Sequence, residues 1–291
     1  MASENAKLTV NNLFNVEGWV CVVTGGGTGV GLVISQAFAN NGARVYITSR
    51  RENVLKNTAE HWGSCLAHPQ GKLIYATCDI NSKDSIRKFV DEIEKKEDHV
   101  DLVVNNAGTL GSRDAEQEHW DPVELAEQLF NDDPAQWEGV YKTNVVGTFF
   151  ISAAFLPLLH AATGRRPQYT PSIINISSVA GISRTTFDHV KYNVSKAAAI
   201  HLTTMLAQKF KNEVRVNSIA PGIFPSEMTV GTSDEHNKSH LSTEYWEKWG
   251  IPAGRPGREE DIAQIALLLA CNQYVYGQTI AVDGGYMIAH G

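Results

Sequence analysis

Short runs of consecutive apolar residues, each followed by a stretch whose apolar positions recur at helical spacing, alternate along the N-terminal third of this chain. Trp19-Val-Cys-Val-Val23 runs into glycines, and Leu32-Val-Ile-Ser-Gln-Ala-Phe-Ala39 behind it is spaced for a helix. The unit recurs as Arg44-Val-Tyr-Ile-Thr48 with a helix from about Arg51 to Trp62, and as Leu73-Ile-Tyr-Ala-Thr-Cys78 with a helix from about Ser82 to Lys96. Strands apolar on both faces and separated by crossover helices belong to a parallel sheet. Further strands are predicted at Leu102-Val-Val104, Ser172-Ile-Ile-Asn-Ile176, Arg215-Val-Asn-Ser-Ile219 and Thr279-Ile-Ala-Val282, with long helices before Arg165, after His189 and around Ile262. About seven parallel strands with helices on both faces make a doubly wound α/β sheet. No repeat, low-complexity tract or Pro/Ser linker marks a boundary, so residues 1–291 read as one domain. The irregular stretches lie at about 109–136, 163–171 and 222–258.

Hydrophobic residues make up 43% and charged residues 20% of the 291, the balance of a globular protein with a full core. A net charge of -7 argues against a nucleic-acid or anionic-membrane surface, which needs a positive field. Cys21, Cys65, Cys78 and Cys271 show no close spacing and no CxxC; they read as reduced, buried thiols, and no metal centre is expected. The first residues lack the basic start and apolar stretch of a signal peptide. The most apolar run elsewhere, Ile262 to Cys271, is far shorter than the roughly 20 residues of a membrane span. A cytoplasmic protein that binds neither nucleic acid nor membrane is expected.

In an open parallel sheet the ligand crevice lies beyond the carboxyl ends of the strands. Thr24-Gly-Gly-Gly-Thr-Gly-Val-Gly31 sits at such an end, between a strand and a helix. Glycines admit positive φ and close approach of a pyrophosphate, and the following helix offers free N–H groups and the positive end of its dipole. A tight turn that only packs the helix is the alternative. At the end of the second strand a carboxylate would accept from the adenosine ribose and repel a 2′-phosphate, but Thr48-Ser-Arg-Arg-Glu52 places no acid at Ser49. Ser49 and Glu52 fit a capping box. That puts Arg50 and Arg51 in the first helical turn, where the dipole disfavours each cation by ~0.3 to 1 kcal/mol. A bound phosphate would offset this, so NADP(H) is expected over NAD(H), with Arg50 as main contact; arginines exposed without a ligand are the other reading. Asp79, ending the third strand, either accepts from an adenine amino group or caps the next helix.

Tyr192 and Lys196 are one helical turn apart and project from one face. A free tyrosine has a pKa near 10, so bringing it near 7 takes about 4 kcal/mol of differential stabilisation of the phenolate. A nearby ammonium and a bound nicotinamide are the groups that can supply it. The pair alone is the usual composition of a helix surface.

Together the segments Thr24-Gly-xxx-Gly-Val-Gly31, Asn105-Asn-Ala-Gly108, Asn144 in Lys-Thr-Asn-Val, Ile176-Ser-Ser178, Tyr192-xxx-Lys196, Pro221-Gly222 and Asp283-Gly-Gly285 resemble the short-chain dehydrogenase/reductase family, in order, from about Gly18 to Tyr286. The resemblance implies a Rossmann-type sheet of strand order 3-2-1-4-5-6-7. It implies that Tyr192 is the general acid in reduction or the base in oxidation, that Lys196 lowers its pKa and holds the nicotinamide ribose, that Ser178 holds the substrate oxygen, and that Asn144 positions a water. Thr24, Gly25, Gly29, Val30 and Gly31, then Ser49, Arg50, Asp79 and Ile80, then Asn106, Ala107 and Gly108, would hold the adenosine and phosphate side of the cofactor. Pro221, Gly222 and Ile223, with Tyr192 and Lys196, would hold the nicotinamide. Structural readings stand beside these: Ser178 as a turn cap, Asn144 as a hydrogen bond in a kinked helix, Asn105 as part of the core. Ser178 to Tyr192 is one residue longer than the common spacing, which points to an insertion in 181–190, and Thr28 stands where many NADP users place a basic residue.

The loop at about 223–258 contains Phe224, Met228, Tyr245, Trp246 and Trp249, a composition for a lid with an apolar inner face, or for aromatic anchors of short helices. Pro221 to Thr229 is similar to the matching segment of bacterial rhamnolipid-type 3-oxoacyl reductases and fungal relatives. Arg184 is a candidate for a substrate anion, and the acidic stretch Asp114 to Asp133 reads as a solvated, helix-bearing insertion that would repel anionic substrates at that rim. The reading is an NADPH-dependent reductase of a ketone on a medium-sized, largely apolar molecule, assembled as a homotetramer or homodimer. NAD-dependent alcohol oxidation at the same site, or a non-redox isomerase or dehydratase, is the alternative.

Overall fold

A computed structural model describes residues 5–114, 121–166, 168–243, 247 and 249–290. Its strands are β1 (Val20–Thr24), β2 (Arg44–Ser49), β3 (Lys72–Thr77), β4 (Leu102–Asn105), β5 (Ser172–Ile176), β6 (Arg215–Pro221) and β7 (Thr279–Val282), all parallel and ordered β3-β2-β1-β4-β5-β6-β7. The helices are α1 (Val10–Leu13), α2 (Gly29–Asn40), α3 (Glu52–Gly63), α4 (Lys83–Glu94), α5 (Pro122–Phe130), α6 (Pro134–Tyr141), α7 (Thr148–Ala154), α8 (Leu156–Ala162), α9 (Val190–Lys209), α10 (Glu227–Val230), α11 (Glu259–Cys271) and α12 (Tyr286–His290). Alternate residues of β1 serve the two faces. Cys21 and Val23 meet Ile34 and Phe38 of α2 and Ile262 and Leu269 of α11. Val20 and Val22 meet Phe89 of α4, Phe155 and Leu206 of α9 on the other. This double burial is why the strands read as unbroken apolar runs.

Two buried ionic devices hold the ends. Arg215, fully buried at the start of β6, donates to the carbonyls of Leu269, Ala270 and Asn272 at 2.7, 2.5 and 3.0 Å. These belong to the C-terminal end of α11, where carbonyls lack helical partners and the dipole favours a cation. At the N-terminal edge of the sheet Asp101, also fully buried, accepts from the Val20 N–H at 2.8 Å and pairs with Arg166 at 2.6 Å and His99 at 3.3 Å.

Several expectations are corrected. The long helix before Arg165 is divided: α6 passes into a π-helical turn, Lys142–Gly147, before α7 and α8. The stretch 109–136 carries helices, as expected of its acidic part, with α5 capped by Asp121, which accepts from the Val123 N–H at 2.8 Å; residues 115–120 lie outside the described ones. The cysteines are free, but Cys65, just beyond α3, is exposed and Cys271 half-buried. No single helix among the described residues is long and apolar enough to cross a membrane, and they include no metal-binding cluster.

Candidate active site

The register aligns the strand ends: Thr24 lies beside Thr48 and Asn105, Asn105 beside Asn175, and Pro221 beside Val282. This rim opens into a cavity of about 820 Å³. Gly25 and Gly29 line it with φ of +66° and +52°, a region closed to most side chains. A Cβ on Gly31 would lie 2.3 Å from both the Gly25 carbonyl oxygen and Asn106 Nδ2, so α2 can pass this close only as glycine. Thr24 Oγ1 accepts from the N–H groups of Asn106 and Ala107 at 3.0 and 3.1 Å, and Asn106 Nδ2 donates to the carbonyls of Thr24 and Gly25 at 3.0 and 3.1 Å. Thr24 and Gly31 therefore fasten the turn to β4 from behind, while Gly25, Gly29, Val30, Asn106, Ala107 and Gly108 line the cavity. Thr28 gives α2 no side-chain cap, which leaves its first amides for an anion. The cradle fits the pyrophosphate of a dinucleotide.

At the end of β2 the expected capping box does not form. Ser49 Oγ accepts from the Arg51 N–H at 3.2 Å, and α3 starts at Glu52 because Arg51, with φ -91° and ψ 89°, is not helical. Arg50 and Arg51 stand in front of the helix rather than within its first turn, so a dipole penalty inside the turn is not what marks them. Arg51 reaches across to Glu227 of α10 in a bidentate pair at 3.2 and 2.6 Å. Arg50 lines the cavity, exposed, with no ion pair among the described residues. Asp79 and Ile80 line it too. Asp79 Oδ1 accepts from the Asn81 N–H at 3.0 Å, and the cap of α4 is Ser82, so the helix-cap reading of Asp79 is corrected.

Tyr192 and Lys196 face the cavity from α9 together with Ser178. Lys196 Nζ donates to the Ile176 carbonyl at 2.9 Å and stands 5.5 Å from the Tyr192 ring centroid. Ser178 Oγ accepts from the Ala180 N–H at 3.1 Å, capping a turn, and lines the cavity beside Tyr192, whose phenol it draws down. Ser177 points the other way, to Ser218 Oγ at 2.7 Å and the Ile219 carbonyl at 3.0 Å. Burial pushes the Tyr192 phenol up to about 12, the Ser178 hydrogen bond opposing it, and burial draws the Lys196 ammonium down to about 8. Lys196 does not lower Tyr192 in this arrangement: the ring is 9% exposed, and the ammonium is aimed at the Ile176 carbonyl. A phenol that stays protonated at neutral pH is in the state of a proton donor.

Asn144 sits in the π-turn, buried, and does not line the cavity. Its Oδ1 accepts from the Thr109 N–H at 2.8 Å, and its Nδ2 donates to the Thr109 carbonyl and Ser195 Oγ, both at 2.9 Å. It clamps the loop after β4 to α9. A Cβ on Gly108 would lie 3.2 Å from Asn144 Oδ1 and 3.5 Å from Lys196 Nζ, so both groups flank one point of the cavity wall. Behind the clamp Thr148 Oγ1 donates to the Asn144 carbonyl at 3.2 Å, Ser152 Oγ to the Thr148 carbonyl at 2.8 Å, and Asn105 Nδ2 to Ser152 Oγ and Asn175 Oδ1, both at 2.9 Å. Asn105 is core, as its structural reading held.

Pro221, Gly222 and Ile223 line the cavity opposite α9. The wall beyond Tyr192 includes Leu110, Val179, Phe187, His189, Met228 and Trp249. The rings of Phe187, Trp249 and Tyr286 form a cluster with centroids 5.6 to 6.2 Å apart. Tyr245 and Trp246 lie outside the described residues. The segment after α10 runs back over α3: Asn57 Nδ2 donates to the Glu235 carbonyl at 2.8 Å, Trp62 Nε1 to the His236 carbonyl at 2.9 Å and Asn237 Nδ2 to Thr58 Oγ1 at 2.8 Å. Arg184 does not line the cavity; Arg113 does, paired with Asp188 at 2.8 Å. The acidic stretch is not simply solvated, since Asp114 and Asp132 hold the buried Lys191 at 2.9 and 3.1 Å. Arg113, Phe187 and Glu227 lie in the segments expected to flank the substrate, 181–190, the stretch after Gly108 and the loop from Ile223, but their individual partners were not legible, because nothing in their local pattern announces contacts so far along the chain.

The family model for short chain dehydrogenases matches residues 19–237. The chain is similar to the short-chain dehydrogenase/reductase PhomF of Diaporthe leptostromiformis, 36% identical over 98% of this chain and 96% of that protein. It is 34% identical to the rhamnolipids biosynthesis 3-oxoacyl-(acyl-carrier-protein) reductase of Pseudomonas aeruginosa, over 94% of this chain and 98% of that one. The solved active-site complex of Pseudomonas aeruginosa RhlG with NADP superposes with a TM-score of 0.77 at 32% identity, covering 94% of this chain and 98% of that one. On sheet order, site and these matches, the chain belongs to the short-chain dehydrogenase/reductase family, oxidoreductases acting on carbonyl and alcohol groups.

Proposed function

We propose that this protein reduces a ketone on a medium-sized, largely apolar molecule, of 3-oxoacyl or secondary-metabolite type, with NADPH as reductant and Tyr192 as proton donor. The observation that carries the reading is the meeting of Ser178, Tyr192 and Lys196 on one wall of a cavity whose far end presents Arg50 and no carboxylate at Ser49. The similarity to a 3-oxoacyl reductase and to an NADP complex supports it. When bound, the nicotinamide supplies the hydride. Ser178 and Tyr192 hold the carbonyl oxygen, and Tyr192 gives it the phenolic proton as the oxygen gains charge. The Lys196 ammonium stabilises the phenolate left behind. Asn144 keeps the wall beside Lys196 in place, and the apolar far wall excludes water from the reacting carbon.

Titration of the purified protein with NADPH and NADH tests the cofactor. NADPH binding tighter by tenfold, about 1.4 kcal/mol, is expected, and equal or tighter NADH binding refutes it. Tyr192→Phe is expected to keep NADPH binding and lose most turnover of a 3-oxoacyl thioester; wild-type rates in that variant refute the mechanism. The proposal includes a cytoplasmic location, checked by cell fractionation, and a homotetramer or homodimer. The helices carrying Asn144 and Tyr192 support the assembly, since Val146, Phe149, Val194 and Met205 on them are exposed. A monomer by light scattering counts against it.

A further inference from the structure

The catalytic helix α9 starts without a cap of its own. His189, at the N-cap, makes no side-chain bond to the helix, and Tyr192 is only its third residue, in the turn whose amides lack helical partners. The cap comes from 76 residues away: Asp114 Oδ2 accepts from the Val190 N–H at 2.6 Å. A carboxylate there satisfies an orphan donor and meets the positive end of the dipole. Asp114 Oδ1 takes Lys191 Nζ at 2.9 Å, Lys191 also reaching Asp132 at 3.1 Å and the Ser112 carbonyl at 3.3 Å. Lys191 is 1% exposed, and a cation so enclosed needs these partners. The joint continues toward the substrate wall, where the Asp114 N–H donates to the Asp188 carbonyl at 2.7 Å and Arg113 pairs with the Asp188 carboxylate. Phe187 and Asp188 there hold left-handed φ of 53° and 56°, a conformation that persists where neighbours fix it.

Resting on Tyr192 as the proton donor, we propose that Asp114 is a positioning residue for Tyr192, seating the first turn of α9 against the loop after β4. The insertion at 109–136 is then part of the chemical end of the site and not a decoration. Three substitutions separate the cap from the charge. Asp114→Ala removes both the cap and a counter-ion of Lys191. Asp132→Ala removes the same charge and leaves the cap. Asp114→Glu keeps the charge and moves the capping oxygen by a methylene.

The readout is the pH titration of the Tyr192 ring-carbon resonance in isotope-labelled full-length protein, assigned by its loss in Tyr192→Phe. In Asp114→Ala the phenol leaves its buried seat, and its midpoint is expected to fall by about one pH unit or more. Turnover of a 3-oxoacyl thioester with NADPH falls about tenfold, with the NADPH Kd unchanged. Asp114→Glu moves the midpoint in the same direction, and keeps the test available if the alanine variant does not fold. Asp132→Ala stays at the wild-type midpoint. An unmoved midpoint in both Asp114 variants, with or without a lower Tm, overturns the proposal, as does an equal shift in Asp132→Ala. Wild-type turnover in Tyr192→Phe would instead overturn the assignment of the proton donor, whatever Asp114 does.

Discussion

Glu227→Gln separates the two arginines at the adenosine end. In the structure Arg51 is held by Glu227, with side chains 52% and 26% exposed, and a pair so placed is worth at most ~1 kcal/mol. The Arg51 hydrogen bonds hold the Glu227 carboxyl below the usual carboxylate range, so the bridge is intact at neutral pH. A 2′-phosphate reaching Arg50 and Arg51 must either share Arg51 with Glu227 or displace it, and it meets a like charge in doing so. Removing that charge is expected to tighten NADPH by up to about 1 kcal/mol, roughly fivefold, and to leave NADH unchanged. Among the described residues Arg50 has no such competitor. Its loss in Arg50→Ala forfeits one charge-assisted contact of ~1.5–3 kcal/mol, about 10- to 100-fold in NADPH affinity, with little change for NADH. Fluorescence titration of wild type and both variants with each cofactor supplies the comparison. If the two cofactors change in parallel, or if Glu227→Gln weakens NADPH, the phosphate does not sit between these residues and the reasoning fails.

Arg215→Met leaves three carbonyls at the end of α11 without their donor; with the relief of no longer burying a cation, a net loss of about 2–4 kcal/mol is expected in urea unfolding, and under 1 kcal/mol would contradict it. His99 is raised above its ordinary 6.5 first by its hydrogen bond to Asp101, so its contribution is complete below 6.5 and lost as pH rises through the folded-state value. Asp101 is lowered from 3.8 because hydrogen bonds from His99 and Arg166 overcome the opposing effect of burial, so its contribution is present above 3.8 and lost as pH falls through its folded value. The Tm difference between wild type and His99→Gln should therefore be largest between 3.8 and 6.5 and shrink above that window; growth toward alkaline pH would contradict the sign. Gly31→Ala drives a Cβ to 2.3 Å from the Gly25 carbonyl and should abolish binding of NADPH and NADH together, whereas calorimetric affinity within about tenfold of wild type for either would show that the turn can give way.

The strands were legible because a sheet covered on both faces needs apolar residues at every position, and an unbroken run such as Val20 to Val23 has few other uses. Ser178 is set apart from its neighbour Ser177 by the alternation of the chain: the Ser177 hydroxyl turns to β6, while Ser178 lines the cavity beside Tyr192. The capping box at Ser49 misled because a local pattern was satisfied while Arg51 was drawn out of the helix, and its side chain pairs with a residue 176 positions away. Asp114 and Val190 likewise meet only through the fold. A π-turn has no residue signature, since it differs from an α-turn in how many residues it encloses and not in which ones.

That turn sets the phase of everything after it. Each residue advances an α-helix by about 100°, so one residue taken up in the wide turn rotates the following segment by that angle relative to a regular helix. Asn144 thereby faces Ser195 while Ile151, Ser152 and Phe155 are fully buried beneath the sheet. Deleting one residue other than Asn144 between Tyr141 and Thr148 would leave core chemistry almost untouched, yet force a choice between the clamp and the packing. Substitutions along this stretch other than at Asn144 and Gly147 are therefore a weaker disturbance than a change of length, and the number of residues it holds carries information of its own.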